Sequence, residues 1–145
     1  MSTTTDETTG LTTEPTRTIS GFSHVNLLVT DLVAARHFYA DILGLPELPR
    51  PGVSGKGAWF RVGDLQLHLS EVAEKPGKVA GGAAHIAMYL LSDDFDERVH
   101  SIEERGGTLA RSPQSREDFG VRVRTAFIND PSGNLVELTD VGPLA

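Results

Sequence analysis

The sequence predicts an α+β fold of two βαβββ repeat units, forming a curved mixed β-sheet cleft with helices packed outside. Two observations carry this. An apolar β-rich run that begins with His occurs twice, as HVNLLV from His24 and HIAMYLL from His85. Each is followed by a helical stretch closed by Gly and then by short strand-like runs joined by turn signals. A supersecondary unit of this length normally buries its face against a copy of itself.

The elements follow in order. Residues 1–18 include nine Thr and only Leu11 as a large apolar side chain after Met1, which predicts a disordered tail. It has neither the cationic start nor the apolar run of a signal peptide. Residues 19–145 are left to build one domain, with units at 20–71 and 83–142 joined by the Gly-, Pro- and Lys-rich stretch 72–82. After the first strand, Thr30 is the candidate N-cap of a helix running to Gly44, with Ala35, Phe38, Ile42 and Leu45 at helical spacing. Ser92 plays that part before a second helix ending at Gly106, with Phe95, Val99 and Ile102 at i, i+4 and i+7. Strands at 58–62 and 65–71 flank the turn Gly63-Asp64. In the second unit, strands at 121–128 and 134–140 flank Asn129-Asp130-Pro131-Ser132-Gly133. The polar stretch 112–120 reads as a loop.

Composition removes several function classes. Thirteen Lys+Arg against 20 Asp+Glu give a net charge of −7, which argues against nucleic acid and against an anionic membrane surface. No apolar run approaches the ~20 residues of a spanning helix. The absence of Cys excludes disulfides, thiolate metal sites and Cys nucleophiles. With no export or membrane signal, the expected location is the cytoplasm.

Strand alternation singles out four polar side chains. His24, Asn26 and Leu28 share one face of the first strand; Gln66, His68 and Ser70 share one of another. His85, Ala87 and Tyr89, and Leu135, Glu137 and Thr139, do the same in the second unit. The opposite faces are apolar and should cover the helices. His24, His68, His85 and Glu137 thus occupy equivalent points of the two repeats. If the units pair, three imidazoles and a carboxylate converge, a set suited to Zn²⁺, Fe²⁺, Mn²⁺, Co²⁺ or Ni²⁺. His37 and His100 sit in the helices without such partners and read as solvated or helix-packing residues. Trp59, Phe60 and Phe127 read as core. Arg122 and Arg124 read as pocket-lining or solvated.

These runs resemble the vicinal oxygen chelate superfamily, which holds glyoxalase I, extradiol dioxygenases, methylmalonyl-CoA epimerase, fosfomycin-resistance thiol transferases and bleomycin-binding proteins. The resemblance covers about residues 20–142. It rests on HVNLLVTDLVAARHFYADILGL, GAWFRVGDLQLHLSE, HIAMYLLSDDFDERVHSIEERGG and FINDPSGNLVEL. It implies eight strands around a metal-holding cleft, with His24, His85 and Glu137 as ligands. His68 stands where glyoxalase I-like members carry a Glu ligand, so one carboxylate is replaced by a neutral ring. Glu137 is by the same resemblance the base that moves a proton. The expected function is divalent-metal lyase/isomerase chemistry on a small substrate that chelates through two neighbouring oxygens. One alternative is an extradiol-type Fe(II) dioxygenase using His24, His85 and Glu137, with His68 as acid/base. The other is a non-enzymatic bleomycin-resistance-type binding protein. The resemblance also implies a homodimer, and pairing would cover open strand edges.

Overall fold

A computed structural model describes residues 18–75, 84–90, 92–117 and 120–142. Residues 1–17 of the Thr-rich stretch and 76–82 of the connecting segment lie outside the described residues. Each unit forms a four-stranded mixed sheet. The first contains β1 (His24–Val29), β2 (Glu47–Leu48), β3 (Gly57–Val62) and β4 (Leu65–Glu71), in the order β1-β4-β3-β2. The second contains β5 (His85–Tyr89), β6 (Leu109–Arg116), β7 (Val123–Asn129) and β8 (Leu135–Thr139), in the order β5-β8-β7-β6. In both, the first strand pairs parallel with the last and the remaining pairs are antiparallel. This is the doubled βαβββ arrangement.

The first helix begins as predicted but is capped one residue later. Asp31 accepts the Ala34 N–H at 3.1 Å, while the Thr30 N–H donates to Ser132 Oγ at 3.0 Å. Glu71 Oε2 accepts the Leu32 N–H at 2.8 Å, so the carboxylate that ends β4 serves the helix start. α1 (Leu32–Arg36) then widens into a π-helical stretch, His37–Ile42, whose end bonds Leu43 N–H to Phe38 O. A 3₁₀ turn, Ser92–Asp94, leads into α2 (Phe95–Glu104). Its N-cap is Asp94, whose side chain pairs with Arg98 and makes no capping bond. Gly44 and Gly106 take φ of +75° and +107° and close the helices, as the sequence indicated.

The strand segments at 112–116 depart from the expected loop: they belong to β6. This is an outer strand with register shifts around Pro113, where a missing N–H and polar side chains are tolerated. β2 is likewise an outer strand, of two residues.

The two units share one core. Val29, Phe38, Phe60 and Leu67 from the first pack in the same buried cluster as Phe95, Val99, Ile128 and Val136 from the second. Burying a side chain such as Phe60 or Phe95 contributes about 2–3 kcal/mol. Polar links reinforce the junction. Tyr39 Oη donates to Asp130 Oδ2 at 2.8 Å, Asn134 Nδ2 to Leu28 O at 2.9 Å, and Arg105 Nε to Ile42 O at 2.9 Å. Asp130 Oδ1 also accepts the N–H groups of Ser132 and Asn134, which folds the DPSGN turn around one buried carboxylate. Burial, and then the Asp130 charge, push the Tyr39 hydroxyl far above the usual tyrosine range, so it remains a donor. Among the described residues no helix is long and apolar enough to cross a membrane.

Candidate metal centre

The four predicted side chains fall into two pairs, one on each sheet. On the first sheet, the β1–β4 register sets Asn26 opposite His68 and His24 opposite Gln66. His24 and His68 are therefore diagonal neighbours, and their rings stack with centroids 4.1 Å apart. Trp59 lies directly opposite His68 on β3 and stacks on its other side, also at 4.1 Å. His68 Nε2 is 2.8 Å from Gln66 Oε1, His24 Nδ1 is 3.1 Å from Ser23 Oγ, and Ser70 Oγ donates to Asn26 Oδ1 at 2.9 Å. Burial first, then the charges of His24 and Arg50, hold the His68 pKa below the ordinary histidine value. That favours the neutral ring, the form in which imidazole binds metals.

On the second sheet, His85 Nε2 lies 3.0 Å from Glu137 Oε2. Two ligands bonded at about 2.0–2.2 Å to one ion, at roughly 90–110°, stand about 3–3.5 Å apart, so this pair fits half a coordination shell. Glu137 is largely buried, its side chain 17% exposed. The pair opens into a cavity of about 370 Å³ whose walls include Ala87, Val123, Phe127 and Val141, with Arg116 at one side. Phe127 meets the His85 ring edge-on at 5.7 Å and carries Arg111 over its face at 5.4 Å.

Alternation and repeat position located all four residues on these faces, but one chain does not bring the two pairs together. Among the described residues no group of three or more His, Asp or Glu gathers closely enough to share an ion. Trp59 and Phe127 were read as core; only Phe60 is, and the other two lie on the histidine faces. Their strand parity, opposite to Phe60 for Trp59 and equal to Thr125 for Phe127, was the available signal. His37 and His100 form exposed i, i+4 pairs with Asp41 and Glu104, matching the solvated reading. Arg124 is bound to Asp96 at the start of α2, and Arg122 pairs with Glu117, so neither lines the cavity.

Two βαβββ units, each placing histidine on an exposed sheet face, define the class of fold. The chain belongs to the glyoxalase/bleomycin resistance protein/dioxygenase superfamily, whose family profile matches residues 21–138. A glyoxalase/dioxygenase from Nostoc punctiforme superposes with a TM-score of 0.69 at 30% identity, over 84% of this chain and 91% of that one. A Glu-to-Gln mutant of the fosfomycin resistance protein FosX from Listeria monocytogenes gives 0.68 at 25%, over 87% and 95%. That structure is a complex with Mn(II) and 1S,2S-dihydroxypropylphosphonic acid. Glyoxylase I 4 of Arabidopsis thaliana is 26% identical over 133 residues, 87% of this chain and 74% of the relative.

Proposed function

We propose that the chain is a divalent-metal enzyme acting on a small substrate that offers two neighbouring oxygens, with glyoxalase I-like lyase/isomerase chemistry. The observation that carries this reading is the His85–Glu137 pair, set at ligand spacing beside a cavity on the sheet face. His24, His85 and Glu137 would hold the ion, with His68 beside His24. Since one chain separates the pairs, two chains associate so that His24 and His68 of one protomer face His85 and Glu137 of the partner subunit. Both first strands, β1 and β5, are sheet edges, and association covers them. The Mn(II) complex of the similar FosX, which holds a dihydroxy compound, supports both the metal and the two-oxygen substrate.

A bound divalent cation supplies Lewis acidity to the two substrate oxygens. Glu137 is the base of this reading: its carboxylate would take the proton from the carbon beside those oxygens and return it. The walls of the cavity beside it are largely apolar, with Ala87, Val123, Phe127 and Val141. A second reading, an extradiol-type Fe(II) dioxygenase, is favoured by one observation. His68 is engaged with Trp59, His24 and Gln66, so the donors left, His24, His85 and Glu137, are the two imidazoles and one carboxylate that non-haem Fe(II) oxygenases also use, and the substrate panel separates the two readings.

The test is metal analysis of protein purified without added metal, followed by α-ketoaldehyde/thiol and aromatic-diol substrates. Ala at His24, His85 or Glu137 should each empty the site, whereas His37→Ala and His100→Ala should keep the metal. Equal metal content in all five variants would defeat the assignment. Metal and ligand binding without turnover of either substrate class would identify a binding protein instead. For the pairing, mixed His24→Ala and Glu137→Ala chains should regain one intact site per dimer. A monomer by light scattering, or no recovery on mixing, rejects it.

A further inference from the structure

We propose that His68 is the middle of a ring stack that fixes the His24 imidazole, and is not itself a ligand; this rests on the metal-centre reading above. Three rings from three adjacent strands lie face to face, Trp59 on β3, His68 on β4 and His24 on β1. The centroids are 4.1 Å apart on both sides of His68, with interplanar angles of 4° toward Trp59 and 18° toward His24.

An imidazole nitrogen binds a metal through a lone pair in its ring plane, at about 2.0–2.1 Å. Rings stacked in this way cannot both meet that condition for one ion. Even if the 18° tilt closes toward the ion, an ion in the plane of one ring stands roughly 2–3 Å out of the plane of the other. One of the two must stay outside the coordination shell.

The contacts decide which. His68 has both faces covered, and its Nε2 is 2.8 Å from Gln66 Oε1. Turning it toward an ion would break two stacks and that hydrogen bond. His24 ends the stack. Its Nδ1 faces Ser23 Oγ at 3.1 Å, the arrangement that fixes a ring and leaves Nε2 for a metal. His68 is therefore a positioning residue, and Trp59 backs it. A flat ring is what the position requires, with no need for its nitrogens.

The experiment reads metal content and ligand geometry on the full chain. His68→Phe keeps a ring in the stack and removes both nitrogens; His24→Phe does the same one strand over. After loading with Co(II) and gel filtration, His68→Phe should carry the wild-type molar ratio of metal with unchanged visible absorption bands. His24→Phe should lose at least about tenfold in Co(II) affinity, and His68→Ala, which removes the middle ring, should fall between the two. If His68→Phe loses metal as His24→Phe does, or its Co(II) bands change, the proposal is overturned. A wild-type chain that takes up no Co(II), Mn(II) or Zn(II) would refute the metal-centre reading and leave the stack to a separate readout. Trp59 is the only tryptophan, so its near-UV circular dichroism reports the stack without metal. Those bands should survive His68→Phe and collapse in His68→Ala; bands unchanged in His68→Ala would reject the stack.

Discussion

Replacing Tyr39 with Phe removes one oxygen from the junction between the two units. The hydroxyl donates to Asp130 Oδ2 at 2.8 Å, with both residues buried. Asp130 keeps its other donors, the N–H groups of Ser132 and Asn134 on Oδ1 and Asn134 Nδ2 on Oδ2. The cost is therefore one hydrogen bond to a charged group, about 1.5–3 kcal/mol, without a stranded charge. In a domain of this size 1 kcal/mol moves the melting midpoint by about 3–5 °C, so Tyr39→Phe should melt about 5–15 °C lower. Asp130→Ala strands the Tyr39 hydroxyl and three N–H donors together and should cost more, about 3–5 kcal/mol. Urea unfolding followed by far-UV circular dichroism measures both, with a constant slope showing that the unfolded state has not changed. Because Tyr39 stays protonated in the fold, its contribution is complete below the ordinary tyrosine pKa of about 10. It is lost as pH rises beyond that, where the unfolded chain alone releases the proton. A Tyr39→Phe midpoint equal to wild type would refute the reasoning.

Three further outcomes are expected. The His68 pKa is lowered by burial and by His24 and Arg50, so its share of stability is complete above the ordinary histidine pKa of about 6.5 and declines as pH falls below it. Denaturation of metal-free protein between pH 5 and pH 7.5 should therefore show a shallower acid decline in His68→Phe than in wild type. At Gly107 an added Cβ would stand 2.8 Å from both Ile102 Cγ2 and Ile128 Cδ1, so Gly107→Ala should cost about 1–3 kcal/mol in the same urea assay. A chain starting at Ile19 should keep the full-length melting midpoint, since residues 1–18 offer almost no apolar anchor. A drop of several degrees would show that they pack on the domain.

The sequence made legible what one strand or helix can express alone. Alternation placed His24, His68, His85 and Glu137 on shared faces, and the repeat matched their positions. The glycines closing each helix and the DPSGN turn were readable for the same reason, since each is a local conformational demand. What stayed hidden depends on neighbours. The cap is Asp31, whose carboxylate accepts the Ala34 N–H, while Thr30 is engaged by Ser132, 102 residues away. β6 escaped because an outer strand containing Pro113 and little burial has the composition of a loop. The stack of Trp59, His68 and His24 needs the cross-strand register, which a single strand pattern does not contain. The separation of His24 and His68 from His85 and Glu137 is set by how the units pack on their shared core, a property of neither repeat alone.

That separation has a consequence in mass action. In the reading proposed above, His24 on one sheet and His85 with Glu137 on the other would each hold a cation weakly alone, and an ion that completes its coordination by bridging two protomers would link its own binding to their association. In the paired arrangement proposed above, occupancy would then depend on chain concentration as well as on free metal. Dilution would release the ion, and added metal would draw monomers together. Supply of the cation and abundance of the chain would act on activity as a single product, so a cell short of either would lose the function steeply.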